Sequence, residues 1–310
     1  MTISIALEKA VVTGAFGYTG KYIARRLLRE GKRVLTLTAH PNRPHEFGGR
    51  VEVAPLEFQD PRGLVHSLQG AGCLFNTYWV RFNHGDVTFD RAVENTRILV
   101  EAAREAGVRK LVHISVTNPS LDSELAYFRG KAELEKIVRS SGIPYAILRP
   151  TIIFGIEDIL INNIAWLLRH FPVFALPGSA RYRVQPVFVE NVADLAIRAS
   201  EESADSIRDA VGPEIFTFAE FVRLIAAATR SKARIIHVNS GIALALTGLL
   251  GLALRDRILT REEVDGLMAD LLVSAGPPTG ETRFSDWLRQ HGETIGESYS
   301  SEFARHYVSS

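Results

Sequence analysis

The chain has 310 residues, which suits one large domain or a main domain with a smaller one grafted onto it. Its formal net charge of +1 excludes a global electrostatic attraction to nucleic acid. Its one cysteine, Cys73, excludes an internal disulfide and a multi-cysteine metal site, and no histidine or acidic cluster predicts another metal site. The opening MTISIALEKAVVTG lacks the features of a signal peptide, so we expect a cytoplasmic protein.

Strand-like and helix-like segments alternate along the first half of the chain. Short apolar runs predict strands, and apolar residues spaced three and four apart predict helices. In chain order the predicted elements are a strand at Lys9–Thr13, a helix at Lys21–Glu30, strands at Arg33–Thr38 and Val51–Phe58, a helix at Pro61–Gln69, a strand at Cys73–Thr77, a helix at Asp90–Ala106, a strand at Lys110–Ser115, a helix at Tyr127–Ser140 and a strand at Tyr145–Leu148. This alternation predicts an α/β fold with a doubly wound parallel Rossmann sheet, in which ligands bind beyond the carboxyl ends of the strands.

The alternation stops after Pro150. The elements predicted there are a helix at Ile159–Phe171, a seventh strand at Val184–Val189, and helices at Asn191–Ser200 and Phe218–Thr229. The rest of the chain is predicted to be helical. We therefore expect residues 1–150, with 183–212 returning to them, to form a dinucleotide-binding domain. Residues 151–182 and 213–310 are expected to form a smaller, mostly helical substrate-side domain.

A glycine array lies between the first predicted strand and the first predicted helix. The segment TGAFGYTG places Gly14, Gly17 and Gly20 in a G-x-x-G-x-x-G pattern. The first glycine permits a turn that a side chain would block, the second lets the backbone approach a pyrophosphate, and the third lets the helix pack tightly on the sheet. The N–H groups at the helix start then bind phosphate. This position predicts an NAD(P) site, to which Phe16 and Tyr18 also belong.

The end of the second strand decides between NAD and NADP. An acidic residue there would bond the ribose 2′-hydroxyl of NAD, whereas an arginine would suit the 2′-phosphate of NADP. The segment TAHPNR contains no acid, which favours NADP, with Arg43 or His40 near the phosphate. The alternative, that both are solvated loop residues and that the cofactor is NAD, stays open at this point.

Tyr127 and Lys131 form a Y-x-x-x-K pattern, which places both side chains on one side of a predicted helix. A nearby ammonium lowers the pKa of a phenol from about 10, so that the tyrosine can exchange a proton with a substrate as hydride moves to or from nicotinamide. Ser115 ends the fifth strand, where its hydroxyl would polarise the same carbonyl oxygen. The alternative is a surface lysine beside a half-buried tyrosine with no catalytic role.

At these residues the chain resembles the short-chain dehydrogenase/reductase superfamily. It is most similar to the atypical, NmrA-like branch, which includes the nucleotide-binding accessory subunit of respiratory complex I. The motifs that carry the resemblance cover most of the chain, in the order TGAFGYTG, AAREAGVRKLVHIS, YFRGKAELE, ILRPTIIFG, RVQPVFVENVADLA and LTREEVDGLMADLLVS.

The resemblance implies a Rossmann core that binds NAD(P), with the serine, tyrosine and lysine named above matching the family's catalytic trio. It implies that Lys131 also holds the nicotinamide ribose and that Pro150 lies beside the nicotinamide. Glu57 and Phe58 fall where family members carry an acid near the adenine, and Thr77 at the end of the fourth strand is also expected in the cofactor site.

Two functions remain open from the sequence. The first is an NAD(P)-dependent oxidoreductase, or an epimerase-like enzyme, that acts on a small carbonyl or hydroxyl substrate through Tyr127 and Lys131. The second is a non-catalytic NAD(P)(H)-binding regulator or assembly factor. Tyr78 and Trp79 stand where typical epimerases have small residues, so they either crowd the site or are ordinary core aromatics.

The longest apolar run is Gly241–Leu254, which is too short for an ordinary membrane span. We expect a buried helix here. The alternatives are a lid over the substrate and a helix lying on a membrane surface, since Arg255 and Arg257 follow the run. A small-molecule substrate is the expected partner, and the oligomeric state cannot be read from the sequence.

Overall fold

A computed structural model describes residues 8–303 and divides the chain into two compact units. The first unit contains the described residues up to Pro150 together with Val192–Asp209. The second contains Thr151–Asn191 and the described residues from Ala210 onward. The opening segment used to judge the signal peptide and the last residues of the expected 213–310 domain lie partly outside the described residues.

The strands and helices are numbered in chain order. The strands are β1 (Lys9–Thr13), β2 (Arg33–Thr38), β3 (Val51–Pro55), β4 (Ala71–Asn76), β5 (Lys110–Ile114), β6 (Tyr145–Pro150), β7 (Ile153–Phe154), β8 (Val173–Pro177), β9 (Arg183–Val184), β10 (Val187–Phe188), β11 (Ser206–Ala210), β12 (Phe216–Thr217) and β13 (Arg234–Val238). The α-helices are α1 (Tyr18–Arg29), α2 (Pro61–Leu68), α3 (Phe89–Glu105), α4 (Ala126–Arg139), α5 (Ile159–His170), α6 (Val189–Glu201), α7 (Phe218–Ala228), α8 (Ser240–Leu254), α9 (Arg261–Met268) and α10 (Phe284–His291).

The central sheet has seven strands in the order β11-β6-β5-β4-β1-β2-β3. The pairs from β6 through β3 are all parallel. The strand order runs one way from β1 to β3 and the other way from β4 to β6, so the chain changes direction between β1 and β4. In open α/β sheets a ligand binds at such a reversal, beyond the carboxyl ends of the strands. The predicted doubly wound Rossmann sheet is confirmed.

The core of the first unit lies between the sheet and helices α2, α3 and α4. Strands β4 and β5 are buried along nearly their whole length, which explains their continuous apolar sequences. The residues of this cluster that are fully shielded from water include Leu64, Leu74, Leu99, Leu111, Leu134 and Ile147. This packing holds the carboxyl edge of the sheet in place and positions the residues described below.

The seventh strand of the sheet is Ser206–Ala210, and the prediction of Val184–Val189 was wrong. The predicted segment holds the two short strands β9 and β10, which pair with β12 and β7. The segment that returns to the first unit is accordingly Val192–Asp209, narrower than the expected 183–212. The sequence SIRDA is short and mostly polar, so its pattern does not predict a strand. A polar strand is possible here because β11 lies at the edge of the sheet, where even Ile207 is exposed.

The second unit contains short strands among its helices, and the prediction that the chain after Thr229 is helical was wrong at β13. Strand β13 pairs in parallel with β8, with Arg234 beside Val173 at one end and Val238 beside Pro177 at the other. A five-residue apolar run such as RIIHV cannot be distinguished from part of a helix by its periodicity alone. The core of this unit is aromatic and includes Phe154, Phe221, Phe284 and Trp287.

Helix α8 corresponds to the long apolar run, and the expectation that it is buried was wrong. The helix packs against β8 and buries Ala243 and Gly251. Its other side leaves several large apolar residues exposed, namely Ile242, Leu246, Leu249 and Leu252. Among the described helices, none combines the length and the hydropathy needed to cross a bilayer.

Candidate functional site

The turn after β1 is anchored to the strands on both sides of it. Gly14 adopts a φ of +66°, a conformation that favours glycine. The Ala15 N–H donates to Thr36 Oγ1 of β2 at 3.0 Å, and Thr77 Oγ1 donates to the Thr13 carbonyl at 2.6 Å. Thr77, a predicted cofactor residue, therefore lies beside the glycine turn at the carboxyl end of β4.

The backbone at Gly20 lies directly against the backbone at Gly14. A Cβ atom added to Gly20 would lie 2.3 Å from the Gly14 carbonyl oxygen, and both atoms belong to rigid parts of the fold. Helix α1 begins at Tyr18 after Gly17 as N-cap, and its first turn contains no acidic residue. The structure thus brings the three predicted glycines together at a positive helix end suited to a pyrophosphate.

The loop after β2 folds back onto this turn. Phe16 is buried and stacks on His45, with ring centroids 4.0 Å apart and planes 3° from parallel. Glu46 pairs with Arg25 of α1, which fastens the same loop to the helix. His40 and Arg43 belong to this loop and are joined by a hydrogen bond from the Arg43 N–H to the His40 carbonyl. His45 was missed by the sequence analysis because its contact with Phe16 leaves no mark on local sequence patterns.

A cavity of about 560 Å³ opens at the carboxyl ends of β2 and β3. Its volume falls in the range typical of small-molecule sites, about 300–1,000 Å³. The lining residues are Thr38, Ala39, Pro41, Val53, Ala54, Pro55, Leu56, Glu57, Phe58, Gln59, Arg91 and Asn95. The structure therefore places the predicted Glu57 and Phe58 on the wall of a cavity, although they follow β3 and are not part of it as predicted.

Two of the lining residues, Phe58 and Asn95, contact Tyr78, which follows β4. The ring of Tyr78 lies 5.0 Å from that of Phe58, and its hydroxyl accepts a hydrogen bond of 2.8 Å from Asn95 Nδ2. Tyr78 thus holds two side chains of the cavity wall. Arg91 and Asn95 were missed by the sequence analysis, and the signal that could have found them is their spacing of four on one face of a helix.

A chain of buried polar groups crosses the carboxyl edge of β1, β4 and β5. Asn76 Oδ1 accepts from the Tyr78 N–H at 3.1 Å and from Thr13 Oγ1 at 3.2 Å, so the amide nitrogen of Asn76 donates to His113 Nδ1, 3.1 Å away. The remaining proton of the imidazole then lies on Nε2. Burial and the charge of Lys131 lower the pKa of His113 to about 3, which keeps the ring neutral.

Ser115 makes its hydrogen bond to a buried carboxylate. Its Oγ donates to Glu135 Oε1 at 2.6 Å. Glu135 is 5% exposed and forms a two-pronged ion pair with Arg149, at 2.9 and 2.5 Å. The guanidinium of Arg149 has its pKa raised by the same contact. The structure therefore joins Ser115 to an ion pair that the sequence analysis did not foresee, and not to Tyr127.

Lys131 is buried beneath an indole ring. Lys131 is only 3% exposed. Its Nζ lies 4.8 Å from the centre of the Trp79 ring and donates a hydrogen bond of 3.1 Å to the Ile114 carbonyl. Burial lowers the pKa of Lys131 to about 7, although Glu135 partly opposes the shift. The close approach of Trp79 is possible because residue 130 is glycine, since a Cβ there would lie 2.8 Å from the ring.

Tyr127 is half-buried in an aromatic cluster at the start of α4. Its ring meets those of Trp79 and Phe89 edge-on, at 5.8 and 5.9 Å between centroids. Trp79 therefore contacts both Tyr127 and Lys131. Pro150, the remaining predicted residue, is buried at the end of β6, and its carbonyl accepts from the Thr117 N–H at 3.0 Å.

Comparison with known proteins supports the nucleotide assignment. The sequence pattern of a family described as NAD(P)H-binding matches residues 14–156. The NADH-ubiquinone oxidoreductase 40 kDa subunit of Neurospora crassa mitochondria is 24% identical over 278 residues, which cover 87% of this chain and 73% of that protein. Subunit 9 of the NADH dehydrogenase 1 alpha subcomplex from Dictyostelium discoideum is 27% identical over 289 residues, covering 87% of this chain and 78% of that one.

A solved structure shares the fold along nearly the whole chain. The NADPH-dependent quinone oxidoreductase of Escherichia coli, solved with NADPH, superposes with a TM-score of 0.72 at 19% identity. The superposition covers 91% of this chain and 99% of that protein. The superposition establishes a common fold, whereas 19% identity does not establish a common site.

Replacing Gly20 by alanine is expected to abolish nucleotide binding. The added methyl would overlap the Gly14 carbonyl and force α1 away from β1, which separates the helix N-terminus from the turn. Fluorescence titration with NADPH measures the loss. Gly49→Ala is the matched control, since a Cβ there meets nothing within 4 Å. An affinity for NADPH unchanged in Gly20→Ala would contradict the placement of the phosphates.

Replacing Lys131 by methionine is expected to change the pH dependence of stability. Its pKa is about 7 in the folded protein and 10.5 ordinarily, so between these values the unfolded chain binds the extra proton and wild-type stability rises with pH. The free energy of unfolding of Lys131→Met relative to wild type should therefore fall by about 2.7 kcal/mol from pH 6 to pH 9. Urea unfolding followed by circular dichroism measures it.

The exposed Lys136 of the same helix provides the control. Lys136→Met should show no such change with pH, because the side chain of Lys136 stays in contact with water in the folded protein. A parallel response of both variants would mean that the amine of Lys131 is hydrated in the folded protein.

Proposed function

We propose that this chain is an NAD(P)-binding protein of the atypical short-chain dehydrogenase/reductase type and that it holds an NAD(P)(H) molecule without turning it over. In this role the protein acts as a nucleotide-dependent regulator or assembly factor. The observation that carries the proposal is the position of Trp79, which packs against both Tyr127 and Lys131.

Hydride transfer by the predicted trio needs a hydroxyl that is available to the substrate. Ser115 instead donates to Glu135, and the carboxylate is held by Arg149. A hydrogen bond to a charged acceptor is about twice as strong as a neutral one, so the serine would have to give up a favourable partner to polarise a substrate carbonyl. The geometry of Ser115 favours a structural role.

The trio also needs an ammonium that stabilises phenolate. A lysine whose pKa is about 7 is neutral in a large fraction of molecules near pH 7, and a neutral amine does not lower the pKa of a phenol. The Nζ of Lys131 is further engaged by the Trp79 ring and by the Ile114 carbonyl. These contacts favour packing of Lys131 over activation of Tyr127.

The curated relatives agree with a holding role. Those from Neurospora crassa and Dictyostelium discoideum are named as subunits of a respiratory enzyme. A nucleotide held by a subunit stabilises its fold by mass action and thereby links assembly to the supply of that nucleotide. We propose the same linkage for this chain, with a protein partner in place of a small-molecule substrate.

Oxidoreductase activity through Tyr127 is the second candidate. It is favoured by the half-buried position of Tyr127 on α4, with Lys131 one turn further along the same helix. The fold neighbour from Escherichia coli is named as a quinone oxidoreductase. In this candidate the tyrosine exchanges a proton with the substrate oxygen, and the bound nucleotide supplies or accepts hydride.

The two candidates are separated by offering the NADPH-loaded protein quinones and aldehydes. We expect NADPH oxidation no faster than in buffer, and we expect Tyr127→Phe to bind NADPH within about twofold of wild type, because the phenol is not a phosphate contact. Absorbance at the reduced nicotinamide band and fluorescence titration measure the two quantities. Substrate-dependent oxidation that Tyr127→Phe abolishes and Tyr145→Phe leaves intact would establish the oxidoreductase instead.

For the nucleotide itself we propose a preference for NADP(H). The loop that follows β2 contains no acid between Thr38 and Arg43, and it is fastened to the glycine turn through His45 and Phe16. This attachment supports a site for the 2′-phosphate formed by Arg43 and His40. A competing possibility is that Glu57, on the cavity wall, bonds the ribose of NAD.

Replacing Arg43 by alanine is expected to weaken NADPH binding about tenfold and NADH binding less than twofold, since only NADPH carries the extra phosphate. Parallel fluorescence titrations with both nucleotides measure the ratio. Arg62→Ala, at an exposed position of α2, is the control. Equal losses for NADPH and NADH, or tighter binding of NADH by wild type, would refute the preference.

A further inference from the structure

The outer face of helix α8 is entirely apolar. The helix sequence SGIALALTGLLGLAL contains no charged residue. Ile242, Leu246, Leu249 and Leu252 follow one another at spacings of three and four, so they share one face, and they are 54%, 48%, 68% and 79% exposed. Contiguous exposed apolar residues of this size mark a surface that another apolar phase covers.

The charged residues of the chain segment that contains this helix have a single sign. Between Phe221 and Arg255 the sequence contains no acidic residue, and its basic residues are Arg223, Arg230, Lys232, Arg234 and Arg255. Strand β13, which carries the exposed Arg234, leads directly into α8, and the exposed Arg255 caps its C-terminal end. An exposed cation therefore lies at the C-terminal end of the apolar face.

The first acid after the helix, Asp256, does not pair with Arg255. Asp256 is buried, and its carboxylate accepts hydrogen bonds from the Tyr299 hydroxyl at 2.7 Å and from the Glu302 N–H at 2.9 Å. These inward contacts leave the surface next to α8 with Arg255 and the exposed Arg257. The pattern is an apolar stripe with cations beside its C-terminal end.

We propose that α8 binds the surface of an anionic lipid bilayer. Its leucines would enter the boundary between headgroups and acyl chains, while the flanking arginines meet lipid phosphates. The helix is too short to cross the bilayer, so it would lie along the surface. These apolar side chains carry no hydrogen-bonding group, so their burial in hydrocarbon leaves no polar group without a partner.

A second copy of this chain fits the same face poorly. A symmetric contact brings together two copies of the same positively charged patch, and the segment contains no acid to pair with these cations. A bilayer rich in anionic lipid supplies the missing negative charge. Charge complementarity therefore favours the membrane over self-association.

Co-sedimentation of the full chain with lipid vesicles tests the proposal. We expect binding to vesicles of equal parts phosphatidylcholine and phosphatidylglycerol, at least about tenfold weaker binding to phosphatidylcholine alone, and weakening by added salt. The double variant Leu249→Gln with Leu252→Gln should bind the anionic vesicles at least about tenfold less. Leu121→Gln, half-exposed in the first unit, is the matched control and should bind as wild type does.

The remaining outcomes overturn the proposal. Absence of vesicle binding, or equal binding by the double variant, excludes a membrane role for α8. A dimer in light scattering that the double variant dissociates, without vesicle binding, assigns the face to a second copy. NADPH titration of the same samples reports on folding and nucleotide binding separately, so a failure of the membrane proposal is distinct from a failure of the proposed function.

Arg255→Gln, which leaves the leucines in place, should also weaken anionic vesicle binding.

Discussion

The contact between the Gly14 carbonyl and the Gly20 backbone is the constraint on which the nucleotide-binding unit depends. Both partners are main-chain atoms, so neither can move aside for a side chain. Their approach brings the N-terminus of α1 to the carboxyl edge of the sheet, where Thr77 ties β4 to the end of β1. Phosphate binding needs no catalytic side chain in this arrangement, because helix N–H groups and a positive helix end suffice.

Burial decides what the polar residues beside this turn can do. A polar group removed from water must find a partner, and at this edge the partners are other protein groups. His113 is held neutral at the end of a line that starts at Thr13, and Ser115 is committed to Glu135. Lys131 is desolvated under Trp79. Ser115 and Lys131 are thus engaged in hydrogen bonding and packing, which supports the proposal of nucleotide retention over turnover.

The second unit buries its aromatic core but leaves one apolar helix face in water. Its aromatic core is fully covered, whereas the outer face of α8 keeps large apolar side chains in water beside cations. Apolar area in contact with water is unfavourable in proportion to its size. Covering the leucines of this face with another apolar surface would therefore lower the free energy. Nucleotide retention in one unit and membrane attachment through the other would together place a redox nucleotide at a bilayer.

The sequence by itself determined the strands and helices up to Pro150 and the position of the glycine turn. Buried parallel strands must be apolar throughout, and a tight turn at positive φ needs glycine, so both leave local marks. Only the tertiary structure decided that Ser115 bonds Glu135, that Trp79 covers Lys131, that Ser206–Ala210 completes the sheet and that α8 is exposed. Periodicity records how apolar a residue is, but the partner that covers it comes from distant parts of the chain.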